Sequence, residues 1–435
     1  MENYEIQEAE ELINYIYESP TAFHAVKNAV DLLKKSGFTE IKEENSWNFK
    51  KSGKYFITKN DSALIAFAVG NGELEKNGFR VIGAHTDSPC FKIKPNADIN
   101  VENNYIKINT EVYGGPILNT WMDRPLAMAG RVVLKSKDPF YPHTKLINIA
   151  KPLMIIPNLA IHMNRDVNSG IKLSKQKHML PLLALINDEF KSKYYLTEII
   201  CKELSVVKED ILDFDLFLYE FGKGTIMGAN REFISSSRLD DLSMVYSGIK
   251  SISDAKVKSS TNIMVCFDNE EVGSTTKQGA NSPMLLSLLE RIAFNLGKNK
   301  DEFYRSISKS FMVSCDLGHA LHPNYVEKSD PANRPIINKG PIIKISASQN
   351  YTTDGMSGAI YKNICNKANI PVQIFVNHSD ERGGSTIGPI SSSHINMTCV
   401  DMGIPILSMH SIRELAGVKD YVYAMNSFKT FYNLN

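Results

Sequence analysis

From Ser235 to the end, the chain alternates between helical and apolar extended segments. A helix over 240–251 precedes a strand over 262–267, and a helix over 283–296 precedes a strand over 311–315. A helix over 356–368 precedes a strand over 372–376, and a strand over 404–409 leads to a C-terminal helix. Alternation at this spacing restricts the chain to a layered α/β fold with a mostly parallel sheet, helices covering both faces.

The first 40 residues predict two helices. Ile6, Ala9, Leu12, Ile13 and Ile16 recur at helical spacing until Ser19-Pro20 breaks the run. Thr21 is placed to cap the next helix, whose stripe is Phe23, Val26, Val30 and Leu33, and Gly37 sits where a terminator is expected. Strand-like runs follow at 55–58, 63–69 and 79–83. Residues 91–234 differ in texture: extended runs at 91–93, 105–108, 130–134, 154–156 and 214–219 are separated by Gly, Pro and Asn. We expect a discontinuous α/β domain over 1–90 and 235–435, interrupted by a β-rich insert over 91–234.

Four apolar runs end in polar groups able to bind metal. Arg80–Ala84 runs into His85, with Asp87 two residues on. Residues 262–267 lead to Asp268-Asn269-Glu270-Glu271, residues 311–315 to Asp316, and residues 404–409 to His410. Asp240 opens a helix after Ser235–Leu239. The carboxyl edge of an open α/β sheet is where ligand sites form. Imidazole and carboxylate donors suit zinc, and to a lesser degree manganese or cobalt. Five groups with one bridging carboxylate would serve two metal ions. Adjacent residues on an extended segment point opposite ways. One of Glu270 and Glu271 can then bind metal while the other faces substrate as a general base. Asp87 can hold the far nitrogen of His85. Each group alone has a commonplace explanation as a cap, a turn or a surface residue; their joint placement does not.

The chain also resembles a known family, the metalloaminopeptidases that include aspartyl aminopeptidase and the vacuolar leucine-type aminopeptidase. The resemblance runs through almost the whole chain. It is carried by GFTEIKEENSW from Gly37, GAHTDSPCFKIKP from Gly83, TWMDRPLAMAGRV from Thr120 and IPNLAIHMNR from Ile156. Further on it is carried by SSRLDDL from Ser236, DNEEVGSTTKQGA from Asp268, DLGHALHPNY from Asp316, KGPIIK from Lys339, GGSTIGPI from Gly383 and MHSIRE from Met409.

The resemblance implies that His85 and Asp316 hold one metal, Glu271 and His410 the other, and Asp240 bridges them. It implies that Glu270 is the general base acting on a metal-bridging water, and that Asp87 orients His85. It makes the β-rich insert a dimerisation domain and sends His162 into a neighbouring subunit's site, with dimers assembling into a tetrahedral dodecamer. Lys344 matches a lysine placed to pair with an acidic side chain or to position a peptide carbonyl. His319 and His322 are read as supporting groups, with His319 a candidate for touching substrate. Two segments depart from the family pattern, Val376–Arg382 and Tyr113–Leu118. Neutral, aliphatic or basic N-terminal residues are therefore alternatives to acidic ones. The reaction class is removal of N-terminal residues from peptides. A deacylase or carboxypeptidase on the same fold is the alternative, and a non-catalytic metal-stabilised assembly protein a more distant one.

Composition excludes other classes. With 49 basic and 48 acidic residues the net charge is +1, which disfavours a nucleic-acid binder. No P-loop, HExxH or GxSxG motif occurs. Six scattered cysteines without a CxxC pair indicate a reducing compartment, and the acidic N-terminus lacks the features of a signal peptide. No apolar run is long enough to span a membrane. The expected location is cytoplasmic.

Overall fold

The computed structural model describes residues 2–186 and 194–434. It divides into two compact units: Met1–Asp87, Gly224–Met409 and Glu414–Asn435 form the first, and Ser88–Lys223 with His410–Arg413 the second.

The first unit is built on a nine-stranded mixed sheet. Its order is Thr39–Glu40, Lys54–Lys59, Ala63–Ala68, Thr261–Phe267, Phe79–His85, Phe311–Cys315, Thr398–Gly403, Ile342–Ile345 and Gln373–Val376. The central four, from Thr261–Phe267 to Thr398–Gly403, pair in parallel. They read as nearly unbroken apolar runs because both faces are covered. Alternate residues separate cleanly. Ile82, Ala84, Met264, Cys266, Val313 and Cys315 pack under the helices Asn3–Tyr17, Ala22–Lys35, Leu239–Asp254, Gly355–Lys367 and Val418–Tyr432. Phe79, Val81, Ile263, Val265, Phe267 and Met312 face Met284–Asn295, Lys300–Ser308 and Ile387–Ile395. The result is a three-layer α/β/α arrangement.

The second helix begins after Thr21, but the threonine hydroxyl is not a backbone cap; it bonds the His24 ring at 2.9 Å. Gly37, at φ 82, ends this helix as expected: the N–H groups of Gly37 and Phe38 return to the carbonyls of Lys34 and Leu33.

Two expectations need correction. The apolar run 404–409 is not one strand of the main sheet. Thr398–Gly403 occupies the main sheet, and Pro405–Leu407 joins a separate five-stranded sheet with Thr225–Met227, Phe233–Ser236, Glu414–Gly417 and Gly318–His319. Pro405, lacking an N–H, sits at the change of sheet. The insert also begins at Ser88 and ends at Lys223, because residues 225–227 and 233–236 are strands of the first unit. Local β pattern cannot distinguish which sheet a strand joins.

The second unit is a six-stranded antiparallel sheet. Its order is His143–Met154, Leu126–Leu134, Ile211–Glu220, Cys90–Val101, Tyr105–Tyr113 and Leu182–Leu185. Leu196 and Ile200 of the helix Tyr195–Leu204 pack into its apolar core. All six cysteines are free thiols; Cys90 and Cys201 are part-exposed and the other four buried. No helix among the described residues is long and apolar enough to cross a membrane.

Candidate active site

Three neighbouring strands deliver the first ligand candidates. His85 ends its strand, with Phe267 of the next strand directly opposite. Asp316 follows Phe311–Cys315 on the other side, its N–H held by the Met402 carbonyl at 3.0 Å. Because parallel strands end at one edge, His85 and Asp316, far apart in sequence, arrive together.

His85 is buried. Its Nδ1 lies 3.1 Å from the Asp87 carbonyl oxygen and 3.4 Å from Asp87 Oδ1, and its Nε2 lies 3.5 Å from Asp240 Oδ1. The Nδ1 contacts direct Nε2 towards Asp240. Burial disfavours a charged ring, but the carboxylates of Asp240 and Asp87 outweigh it and hold the His85 pKa well above the ordinary histidine range. Asp87 does more than the sequence implied. Its two carboxylate oxygens accept the N–H groups of Glu270 and Glu271, each at 3.1 Å. One residue thus fixes both His85 and the Glu pair.

Glu270 and Glu271 are not on an extended segment. Asn269 turns left-handed at φ 63 and starts a 3₁₀ turn, Glu270–Val272. The expected opposite orientation fails accordingly: both carboxylates have an oxygen within 4.8 Å of a His85 nitrogen and of each other. Burial, together with Asp316, Asp87 and Asp240, pushes the Glu270 carboxyl up to about 8 despite the opposing His85.

Asp240 lies in a break of the first helical turn, with φ −82 and ψ 107, and its N–H donates to Glu414 Oε2 at 3.0 Å. Asp241, which ends no apolar run and is not among the expected ligands, accepts the His85 N–H through Oδ2 at 3.1 Å. Asp241 is fully buried, and its Oδ1 has no hydrogen-bond partner. Burial and the neighbouring Asp240 and Asp316 drive its carboxyl well upward against the opposing pull of His85. Its adjacency to Asp240 in SSRLDDL was the available signal.

Lys344, expected to pair with an acidic side chain or to position a peptide carbonyl, is buried. Its Nζ lies 3.4 Å from Asp316 Oδ1 and 5.3 Å from the Tyr351 ring centroid. His319 is exposed and packs edge-on against Phe375 at 6.0 Å. Both rings line a cavity of about 450 Å³ shared with His322, Lys328, His378 and Arg382.

The remaining two candidates lie in the second unit. His162 is exposed in the short 3₁₀ turn Ile161–Met163. His410, at φ 65, has its Nδ1 3.1 Å from the Gly115 carbonyl oxygen.

The first unit therefore gathers one imidazole and several carboxylates at buried positions, with Lys344 as an adjacent cation. Such a donor set fits a hard or borderline divalent cation, which would supply the missing positive charge.

An open α/β sheet carrying this edge is that of a metallopeptidase. Residues 15–432 match the family described as aminopeptidase I zinc metalloprotease (M18). The chain is 59% identical over 429 residues to a probable M18 family aminopeptidase 2 of Clostridium novyi (strain NT), covering 99% of each. It is 39% identical to a probable aspartyl aminopeptidase of Ricinus communis, covering 97% of this chain and 94% of that one. Among solved structures, a mApe1 dodecamer subunit of S. cerevisiae superposes with a TM-score of 0.86 at 28% identity, covering 99% of this chain and 97% of that one. The chain belongs to the M18 family of zinc aminopeptidases, exopeptidases that hydrolyse peptide bonds.

Proposed function

We propose that this aminopeptidase works with two divalent cations, most simply zinc, and that Glu270 is its general base. His85 and Asp316 would serve one ion, Glu271 and His410 the other, and Asp240 both. The observation that carries this is the crowding of buried carboxylates around His85. Bound cations would polarise the scissile carbonyl and acidify the attacking water. The chain's own groups do the rest. Asp87 holds the His85 ring and the Glu270–Glu271 backbone in register. Glu270, with an oxygen within 4.8 Å of a His85 nitrogen, accepts a proton from the attacking water and returns it to the leaving amine.

The cavity at His319 is proposed to receive the N-terminal side chain. With Lys328 and Glu381 paired to each other, its lining leaves the Arg382 guanidinium beside the His319, His322 and His378 rings, which favours an acidic side chain. Lys344 supports the site from the buried side, beside Asp316. His162 is flanked by exposed Leu159, Ile161 and Met163, apolar surface suited to cover by a second copy. With the dodecameric relative, this supports a homo-oligomer in which His162 serves a neighbouring site. The six free thiols support a reducing, cytoplasmic location.

The test is hydrolysis of aminoacyl-p-nitroanilides with acidic, basic and aliphatic residues, after chelation and after adding back zinc, cobalt or manganese. Metal-restored cleavage, fastest for acidic residues, is expected. Near-normal turnover by Glu270→Gln with two metals bound would sink the assignment of the base.

A further inference from the structure

One buried carboxylate close to the site is used by none of these steps. Asp401 lies on Thr398–Gly403, fully buried and directly opposite Ser314, two residues before Asp316. Its Oδ1 accepts the Ser314 hydroxyl at 2.5 Å and the Thr386 hydroxyl at 2.8 Å, and its Oδ2 accepts the Thr352 backbone N–H at 2.6 Å. Its own N–H donates to Thr353 Oγ1 at 2.9 Å.

Three of these contacts go to two segments without helix or regular strand, 346–354 and 378–386. Both lead to the cavity. Tyr351, adjacent to Thr352, lies against Phe375 at 6.2 Å and beneath the Lys344 ammonium, and its hydroxyl accepts from Asn377 Nδ2 at 3.2 Å. Thr386 closes the segment that carries His378, Glu381, Arg382 and Gly383, all on the cavity wall. A fully buried carboxylate without bonded donors would be costly, so its three donors are held firmly.

We propose that Asp401 is a positioning residue for side-chain selection: by tying segments 346–354 and 378–386 to the central sheet, it fixes one wall of the substrate cavity and the Tyr351 support behind Phe375 and Asn377, without touching substrate. This rests on the assignment of that cavity to the N-terminal side chain. An asparagine in its place keeps the size but turns one acceptor into a donor. The amide oxygen must stay on the Thr352 N–H, which can only donate, so the Ser314 and Thr386 hydroxyls face an NH2 group and turn from donors into acceptors, and all the ties lose their charge assistance.

The experiment compares Asp401→Asn, Thr386→Val and Ser314→Ala, assayed with acidic and neutral aminoacyl-p-nitroanilides at measured metal content. For Asp401→Asn, KM for the preferred substrate should rise about fivefold or more and selectivity between the two substrates fall in proportion, with kcat within about twofold. Thr386→Val, which removes one tie, should move KM and selectivity in the same direction by a smaller factor. Ser314→Ala removes a donor that belongs to no cavity wall and should leave both unchanged. Hydrogen exchange on the chelated protein should quicken within 346–354 and 378–386 in the first two variants only. Unchanged KM and selectivity in both Asp401→Asn and Thr386→Val would overturn the proposal, as would a loss confined to kcat. If Asp401→Asn does not fold, the contrast between Thr386→Val and Ser314→Ala decides. If the wild type cleaves nothing at full metal loading, the aminopeptidase mechanism itself fails, and unchanged exchange in those segments would still separately reject the role of Asp401.

Discussion

Two sets of carboxylates, one in each unit, are treated in opposite ways. In the second unit Asp215 and Glu220 are matched. Asp215 meets Lys92 Nζ at 2.7 Å and Arg131 Nε at 3.0 Å, and Glu220 meets Arg124 at 2.8 Å and Arg413 at 3.0 Å. Burial alone would raise the Asp215 carboxyl, but Lys92 and Arg131 overcome it and hold it below its ordinary value. In the first unit Asp240, Asp241, Glu270 and Asp316 face one another around a single imidazole, and the carboxyls of Asp241, Glu270 and Asp316 are pushed up. The same residue type thus serves cohesion where the chain supplies a cation for each acid, and forms a crowded anionic cluster where it does not.

This contrast can be broken at three points. The largest effect is expected from Glu270→Gln, which should lower kcat by about 10²–10⁴-fold, the usual worth of a general base, with metal content unchanged by elemental analysis. Asp215→Asn should follow, costing about 1–3 kcal/mol of stability by calorimetry, since it strands two cations at a part-buried site. Its sign with pH is fixed. A carboxyl lowered in the folded state stabilises above its unfolded pKa, so the gap between wild type and variant should close as pH falls through the acid range. The smallest effect, and the one that reverses sign, is expected for Glu270→Gln in chelated protein. Removing one member of an uncompensated cluster should leave the melting temperature unchanged or raised. A melting temperature lowered as much as by Asp215→Asn would erase the distinction between the units.

How far the sequence reveals this follows from what ends each apolar run. His85, Glu270–Glu271 and Asp316 could be read because a polar group stops an otherwise apolar strand, and parallel topology brings such stops to one edge. The run 404–409 failed that logic, since Gly403-Ile404-Pro405 stays apolar while the chain changes sheets. The Glu pair was placed near the site but given strand geometry, because the left-handed Asn269 leaves no mark in the hydropathy pattern. Asp401 is hidden for a third reason. It sits inside an apolar stretch, where one acid looks like a tolerated interruption, and only the donors arriving from distant segments show its use.

The distribution of thiols has a practical consequence. Both part-exposed cysteines, Cys90 and Cys201, belong to the β-rich unit, whereas Cys266, Cys315, Cys365 and Cys399 are sealed inside the layered unit. A maleimide dye applied to native protein should therefore tag the insert alone, without any engineered site. The four silent thiols then become a clock: their labelling rate reports how often the layered unit that carries His85 and Asp316 comes open.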